Sequence, residues 1–136
     1  MDHARQTVTA PGAPAAIGPY SHAVLVDCRS AGGLLFCSGQ IPLDPVSGEL
    51  VGESAAEQAR RCLENLRAVC VAAGTALERA VRVTVYMADL ERFAEVNEVY
   101  AEFFAVDSPA RVTVGVAALP RGALVEIDAV VAVGDG

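Results

Sequence analysis

The sequence predicts one α+β sandwich of order β-β-α-β-α-β-β, with two helices that cover one face of a sheet. Short apolar runs, several with strictly alternating residues, indicate strands. Two longer segments carry apolar residues at helical spacing. A chain of 136 residues, 53% of them hydrophobic, is long enough for one domain with a core and leaves little room for a second. Paired strands with two interspersed helices are typical of the α+β class.

The first part of the chain predicts an arm, two strands and a loop. Residues 1–14 contain prolines and a glycine and are predicted to form an N-terminal arm of the single domain 1–136. Strands are predicted at 20–28 and 33–39, separated by a turn. Two prolines and a glycine in the following "IPLDPVSGEL" favour a surface loop.

Two helices follow, with a strand between them. Ser54 and Glu57 form a capping box at the start of the first helix, and Gly74 stands where a helix ends. The segment "RAVRVTVYMAD" alternates as a strand, and "LERFAEVNEVYAEFF" predicts the second helix. Asn97 lies within the apolar stripe of that helix, where the residues alone favour an amide that packs the helix against a nearby loop.

The last two strands are predicted at 111–118 and 123–133. Alternation places Val112 and Val114 on one face, which we expect to join the helix-covered core. It places Arg111 on the other face, and we expect Glu126 of the last strand there too. That face mixes small, apolar and charged residues. It is either exposed to solvent, as antiparallel sheets allow, or buried against other subunits.

Charge and composition exclude several classes of function. The net charge of -7 argues against general nucleic-acid binding, because phosphate neutralisation needs a basic face. The N-terminus has no cationic segment followed by an apolar run, and no stretch is long and apolar enough to span a bilayer. We therefore expect a cytoplasmic protein.

The cysteines and histidines predict no metal site. The four cysteines, at positions 28, 37, 62 and 70, have no CxxC spacing, and the two histidines are isolated. The thiols have two interpretations, a nucleophilic or metal-binding role and a role as small buried side chains in a reducing compartment, and the second is favoured.

Six motifs in order resemble one family. They are "IGPYSHAV", "CSGQIPLDPVSGELV", "ENLRAVCVAAG", "FAEVNEVYAEFF", "PARVTVGVAALP" and "VEIDAV". Their order and approximate spacing are similar to those of the Rid family, the RidA-type reactive-intermediate deaminases once labelled YjgF or endoribonuclease L-PSP. The resemblance extends from residue 17 to residue 133.

The resemblance implies a fold, an assembly and a reaction. It implies a chorismate-mutase-like α+β fold and a homotrimer with a barrel-like centre and with active sites at the subunit interfaces. It implies hydrolysis of 2-imino acids and their enamine tautomers, such as 2-aminoacrylate, to 2-keto acids and ammonia, without a cofactor or metal. The implied partners are these small molecules and other copies of the chain, with no membrane and no nucleic acid.

The resemblance also implies roles for individual residues. Arg111 would bind the substrate carboxylate in a bidentate manner, and Glu126 would orient and help activate the attacking water. The implied pocket-lining residues are Tyr20, Ser38, Gly39, Asn97 and Thr113. Taken singly, Tyr20 is equally a packing aromatic, Ser38 a strand-end hydroxyl and Glu126 the partner of a surface arginine.

Two departures from the family pattern affect specificity. RidA proteins commonly carry Ser or Thr and then Cys or Thr after the arginine, whereas this chain has Val112 and Thr113. The segment 101–108 is shorter than in some members. A trimeric module that binds a 2-keto acid without turnover is therefore an alternative, and RNA cleavage, suggested by the older label, is a weaker one.

Overall fold

The computed structural model describes residues 4–27 and 32–134 and confirms the α+β class, with two helices on one mixed sheet. Three single-turn 3-10 helices, Leu77–Arg79, Leu90–Arg92 and Pro120–Gly122, lie in the connections. The strands are β1 (Arg5–Val8), β2 (Ala23–Asp27), β3 (Gly33–Gln40), β4 (Ala80–Met87), β5 (Ala110–Gly115) and β6 (Val125–Val133), and the helices are α1 (Ala55–Ala72) and α2 (Phe93–Phe103).

The six strands form one sheet in the order β1-β2-β3-β6-β4-β5. Every neighbouring pair is antiparallel except β4 and β5, which are parallel and are joined through α2. A parallel pair needs such a crossover, since a tight turn cannot return the chain to the same end of the sheet.

Strand β1 was not predicted. Its four residues, "RQTV", pair with β2, so part of the predicted N-terminal arm is an edge strand. Three of the four are exposed, so the segment has no apolar face that the sequence could reveal. Backbone hydrogen bonds to β2 form it, and these depend on the tertiary structure.

The core lies between the helices and one face of the sheet. Alternate residues of β6 point into it, as predicted, and Val125, Ile127 and Val131 are fully buried. Ser54 is the N-cap of α1, and its hydroxyl accepts a hydrogen bond from the Glu57 N–H at 3.1 Å and donates one to the Glu57 carboxylate. Gly74 ends the helix with a positive φ of 78°, which suits glycine.

Strand β5 forms where it was predicted, but the prediction of which of its side chains face the core was wrong. Its parallel register places Arg111 beside Val83 and Thr113 beside Val85. Val83 and Val85 are buried under the helices, so Arg111 and Thr113 lie on the helix-covered face. The valines of β5 lie on the opposite face and are 38% and 37% exposed. Alternation in the sequence shows which side chains of β5 share a face, but it does not show which face is covered by helices. In this edge strand the face with Arg111 and Thr113 is the one that packs against α2.

The helix-free face of the sheet carries large exposed apolar side chains. Phe36 on β3 is 46% exposed, and Val112 and Val114 lie on the same face. Tyr86 donates a hydrogen bond of 2.8 Å to Asp128 on this face. Among the described residues, no helix is both long and apolar enough to cross a membrane.

Candidate active site

Arg111 is held by three side chains of α2. Its Nη1 donates a hydrogen bond of 2.7 Å to Asn97 Oδ1. The guanidinium lies 5.4 Å from the ring centre of Phe93 and 4.6 Å from that of Tyr100. Such stacking favours a cation and fixes the plane of the guanidinium. In the chain as described, no salt bridge joins Arg111 to a carboxylate, so its positioned charge is available to an anion.

Two buried hydroxyls close to Arg111 in the fold have no hydrogen-bond partner among the residues that the structure describes. They are Tyr100 Oη and Thr113 Oγ1. Burial raises the pKa of Tyr100, and the charge of Arg111 opposes this shift. An unpaired buried hydroxyl costs free energy, on the order of 1–3 kcal/mol. A cavity of about 400 Å³ at the β5 edge is lined by Arg111, Asn97 and Tyr100. The guanidinium and the Tyr100 hydroxyl can donate hydrogen bonds to a ligand bound there.

Glu126 lies in a different cavity, of about 370 Å³. It faces the helix-free side, because it pairs in register with Tyr86 of β4. Burial raises the pKa of Glu126, and the negative charge of Asp128 raises it further. A carboxyl with a raised pKa holds a proton more readily than an ordinary glutamate, which suits a group that takes a proton and returns it.

Ser38 and Gly39 lie in a register shift of β3, beside Glu126. The Ser38 hydroxyl donates to the Ser21 carbonyl oxygen at 2.5 Å. A Cβ at Gly39 would overlap the Glu126 carboxylate oxygen Oε2. Glycine at this position leaves room for the Glu126 carboxylate, which would have to move if a Cβ were present.

Tyr20 and an apolar wall complete the Glu126 cavity. Tyr20 is 46% exposed, and its hydroxyl accepts a hydrogen bond of 3.0 Å from the Ile17 N–H. Ile17, Ile41 and Pro120 contribute apolar surface, and Arg121 also lines the cavity. Cavities of this composition bind small molecules with an apolar part and a few polar contacts.

The structure therefore divides the predicted site residues into two groups. Asn97, Thr113 and Arg111 lie on the α2 side of the sheet, and the Glu126 cavity holds Tyr20, Ser38, Gly39 and Glu126. The expectation that Arg111 and Glu126 share a sheet face was wrong, because the register of β5 places Arg111 beside buried Val83.

Three contributions were missed from the sequence. Phe93 and Tyr100 belong to the apolar stripe of α2, and Tyr100 is buried in the core, but their rings also stack on the arginine. The spacing of four and three residues from Asn97 was the available signal. Arg121 was not singled out, and its Nη1 donates to the Gly48 carbonyl oxygen at 2.8 Å.

None of the three cysteines in the described part of the chain lines either cavity. Cys37, Cys62 and Cys70 are buried free thiols, and Cys28 lies outside the described residues. A hydrogen bond between the Cys37 and Cys70 thiols raises the pKa of Cys37, and burial raises that of Cys62. Within residues 4–27 and 32–134, no three His, Cys, Asp or Glu side chains converge as metal ligands.

Comparisons with known proteins agree on one family. Residues 10–133 match the family described as endoribonuclease L-PSP. The chain is 52% identical over 127 residues to Protein DfrA of Myxococcus xanthus, covering 93% of this chain and 95% of that protein. It is 44% identical over 126 residues to the 2-iminobutanoate/2-iminopropanoate deaminase of Homo sapiens, covering 93% and 88%. The crystal structure of YyfA, a Rid family protein from Yersinia pestis, matches with a TM-score of 0.87 and 41% identity over 96% of this chain and all of that one.

Proposed function

The chain belongs to the endoribonuclease L-PSP family, which includes the Rid proteins, and from this we propose that it hydrolyses 2-imino acids to 2-keto acids and ammonia. Relatives from Homo sapiens, Bos taurus and Mus musculus, at 44%, 44% and 45% identity, are named 2-iminobutanoate/2-iminopropanoate deaminase. Homology at this level over most of the chain supports the same class of reaction.

One observation carries the substrate class. The Arg111 guanidinium is fixed by Asn97 and by two aromatic rings, yet no described salt bridge satisfies its charge. A planar guanidinium binds a carboxylate through two parallel hydrogen bonds. A 2-imino acid presents such a carboxylate beside its electrophilic C=N carbon. Thr113 Oγ1, buried and unpaired, would supply a further contact.

The site is completed between two copies of the chain in a homotrimer. Arg111 and Glu126 lie on opposite sheet faces, so one chain does not offer both to one small substrate. Phe36, Val112 and Val114 expose apolar surface on the helix-free face. Packing this face against neighbouring copies would bury that surface and bring the Arg111 group of one copy to the Glu126 group of the next.

The reaction then needs one water and one proton relay. With the carboxylate on Arg111, the C2 carbon lies within reach of a water held by Glu126. Glu126 takes a proton from the water as the water oxygen bonds to C2, and it passes this proton to the imine nitrogen as the C=N double bond becomes single. The carbinolamine hydroxyl then gives its proton to the nitrogen through Glu126, the C=O double bond forms, the C–N bond breaks, and the 2-keto acid and ammonia leave with Glu126 ionised again. The raised pKa of Glu126 suits both transfers.

The remaining predicted residues have supporting roles in this proposal. Asn97 orients Arg111. Gly39 admits the Glu126 side chain, and Ser38 and Tyr20 line the pocket around the reacting atoms. We propose that the protein acts in the cytoplasm as a single domain, with Ile17 and Tyr20 as part of the pocket wall.

A coupled assay tests the proposal. An amino-acid oxidase generates the imine, and the protein should speed formation of the keto acid. Arg111→Ala should lower kcat/KM by about a hundredfold or more, because two charge-assisted hydrogen bonds are lost. Arg111→Lys should restore little, since an ammonium cannot reproduce the fork. Arg60→Ala, which removes a surface ion pair with Glu102, is the matched control.

The alternatives give different results in the same experiments. A wild-type protein that is stabilised by 2-ketobutyrate but leaves the imine untouched would be a binding module. RNA cleavage that copurifies with the chain and disappears in Arg111→Ala would support the older family description. Either result, with no imine hydrolysis at several substrates, refutes the deaminase assignment.

A further inference from the structure

The imidazole of His22 makes two hydrogen bonds to backbone groups. His22 is 5% exposed and immediately precedes β2. The Ala10 N–H donates to Nδ1 at 2.8 Å, and Nε2 lies 2.7 Å from the Pro14 carbonyl oxygen. Because an amide N–H can only donate, Nδ1 accepts, and Nε2 carries the proton that is donated to Pro14. Both ring nitrogens of a neutral imidazole are thereby satisfied.

The contact with Pro14 closes a loop that lines the Glu126 cavity. Residues 15–20 lie between the hydrogen-bonded residues Pro14 and His22. They are exposed and form neither helix nor strand. Two of them, Ile17 and Tyr20, form part of the cavity wall. Two hydrogen bonds lie within this segment, from Ile17 N–H to Tyr20 Oη and from Tyr20 N–H to the Gly18 carbonyl oxygen. They hold its shape without attaching it to the sheet.

The backbone of the same residue holds the opposite wall. The Ser38 N–H donates to the His22 carbonyl oxygen at 2.9 Å, and the Ser38 hydroxyl donates to the neighbouring Ser21 carbonyl oxygen. Ser38 and Gly39 face Glu126 in the cavity. His22 therefore connects the loop, through its side chain, to the irregular part of β3, through its main chain.

We propose that His22 is a positioning residue for the active site: it closes the loop 14–22 and holds Ile17 and Tyr20 in place before substrate binds. A loop that is already ordered loses less conformational entropy on binding. We expect loss of these contacts to raise KM and to leave kcat nearly unchanged. The described hydrogen bonds of the His22 side chain go to Ala10 and Pro14, and neither reaches β5, which carries Arg111, or β6, which carries Glu126. The consequence for turnover rests on the proposed deaminase function, whereas the loop closure rests on the contacts alone.

Three variants separate the two hydrogen bonds. His22→Asn has an oxygen near the position of Nδ1 and retains the bond from Ala10, but it is too short to reach Pro14. His22→Gln carries one acceptor and one donor on a longer side chain and can serve both. His22→Leu removes both bonds and keeps an apolar side chain. Size-exclusion chromatography and thermal melting establish that each variant folds and assembles.

Hydrogen–deuterium exchange then measures whether the loop is held in place, and steady-state kinetics measure whether the loop affects substrate binding. In the full-length protein without substrate, exchange in peptides covering 15–20 should be faster in His22→Asn and His22→Leu than in the wild type. KM for the imine should rise about two- to tenfold in both, the factor expected for one hydrogen bond, with kcat nearly unchanged. His22→Gln should restore both quantities towards the wild-type values, which a general loss of stability would not explain.

Two results would overturn the inference. Exchange at 15–20 that is the same in His22→Asn and the wild type would show that Pro14 does not depend on His22. Faster exchange with an unchanged KM would show that the loop is tethered but does not position the site. If the wild-type protein hydrolyses no imine, the proposed function fails separately, and exchange alone decides whether His22 closes the loop.

Discussion

Two inactive variants, Arg111→Ala and Glu126→Gln, should restore activity when they assemble together. Each removes one half of the proposed site, and within one chain these halves lie on opposite faces of the sheet. A chain with Arg111→Ala still presents an intact Glu126 cavity, and a chain with Glu126→Gln still presents an intact Arg111. If active sites form between neighbours, a mixed trimer contains complete sites that neither homotrimer has.

The size of the recovery follows from the geometry of a cyclic trimer. A complete site needs the arginine from a Glu126→Gln chain and the glutamate from the adjacent Arg111→Ala chain. Going round any mixed trimer, this junction occurs once in three, so about one third of the wild-type activity per site should return. In an unpurified random mixture, where some trimers are homogeneous, the recovery should be about one quarter.

The assay uses co-expression with two affinity tags. Purification over both tags in succession isolates mixed trimers, and keto-acid formation from an oxidase-generated imine measures their activity. The two variants purified separately and mixed without subunit exchange provide the control, which should remain inactive.

Two outcomes would refute the reasoning. Mixed trimers that are as inactive as either variant would show that Arg111 and Glu126 do not act in one site across a subunit boundary. Full activity in either variant alone would show that the substituted group is not needed for the reaction.

Three further predictions concern the charges of the site. Because burial raises the pKa of Glu126 on folding, the ionised carboxylate destabilises the fold. Glu126→Gln should therefore raise the melting temperature at pH 7, and the gain should disappear as the pH falls below the usual glutamate pKa of about 4.3. Asp128→Asn should lower the pKa of Glu126 and move the acid limb of the pH–rate profile to lower pH, whereas exposed Asp89→Asn should leave it unchanged. Asn97→Ala should raise KM about tenfold, because Arg111 loses its 2.7 Å hydrogen bond to the amide oxygen.

Each of these predictions has a contradicting result. Equal melting temperatures of Glu126→Gln and the wild type at pH 7 would show that the carboxylate is not destabilised in the fold. An acid limb that stays in place in Asp128→Asn would remove that residue as a source of the raised pKa. An unchanged KM in Asn97→Ala would mean that the aromatic rings suffice to orient Arg111.

Local patterns predicted the elements because their causes are local. The capping serine and Gly74 mark both ends of α1, and these signals depend on backbone groups within one turn. The alternate burial of β6 follows from the two-residue period of a strand, and its residues at 125, 127, 129 and 131 are buried as expected. Each of these inferences needed only a few neighbouring residues.

Strand pairing could not be inferred in the same way. The edge strand β1 has no apolar face, and its existence depends on the free backbone groups of β2. The face that Arg111 occupies depends on its register with Val83, a residue of a strand that is distant in the chain. A shift of one residue would move every side chain of β5 to the other face.

By itself, the sequence determined the order of the two helices and of strands β2 to β6, and the apolar residues that α1 and β6 contribute to the core, since these depend on periodicity and turn chemistry. The candidate site residues came from the resemblance to the Rid family. The tertiary structure alone decided that Arg111 is held by Asn97 and two rings, and that Glu126 lies in another cavity on the opposite face. The physical reason is that a sheet face is assigned by pairing between strands distant in the chain, and pairing leaves no periodic signal in either strand.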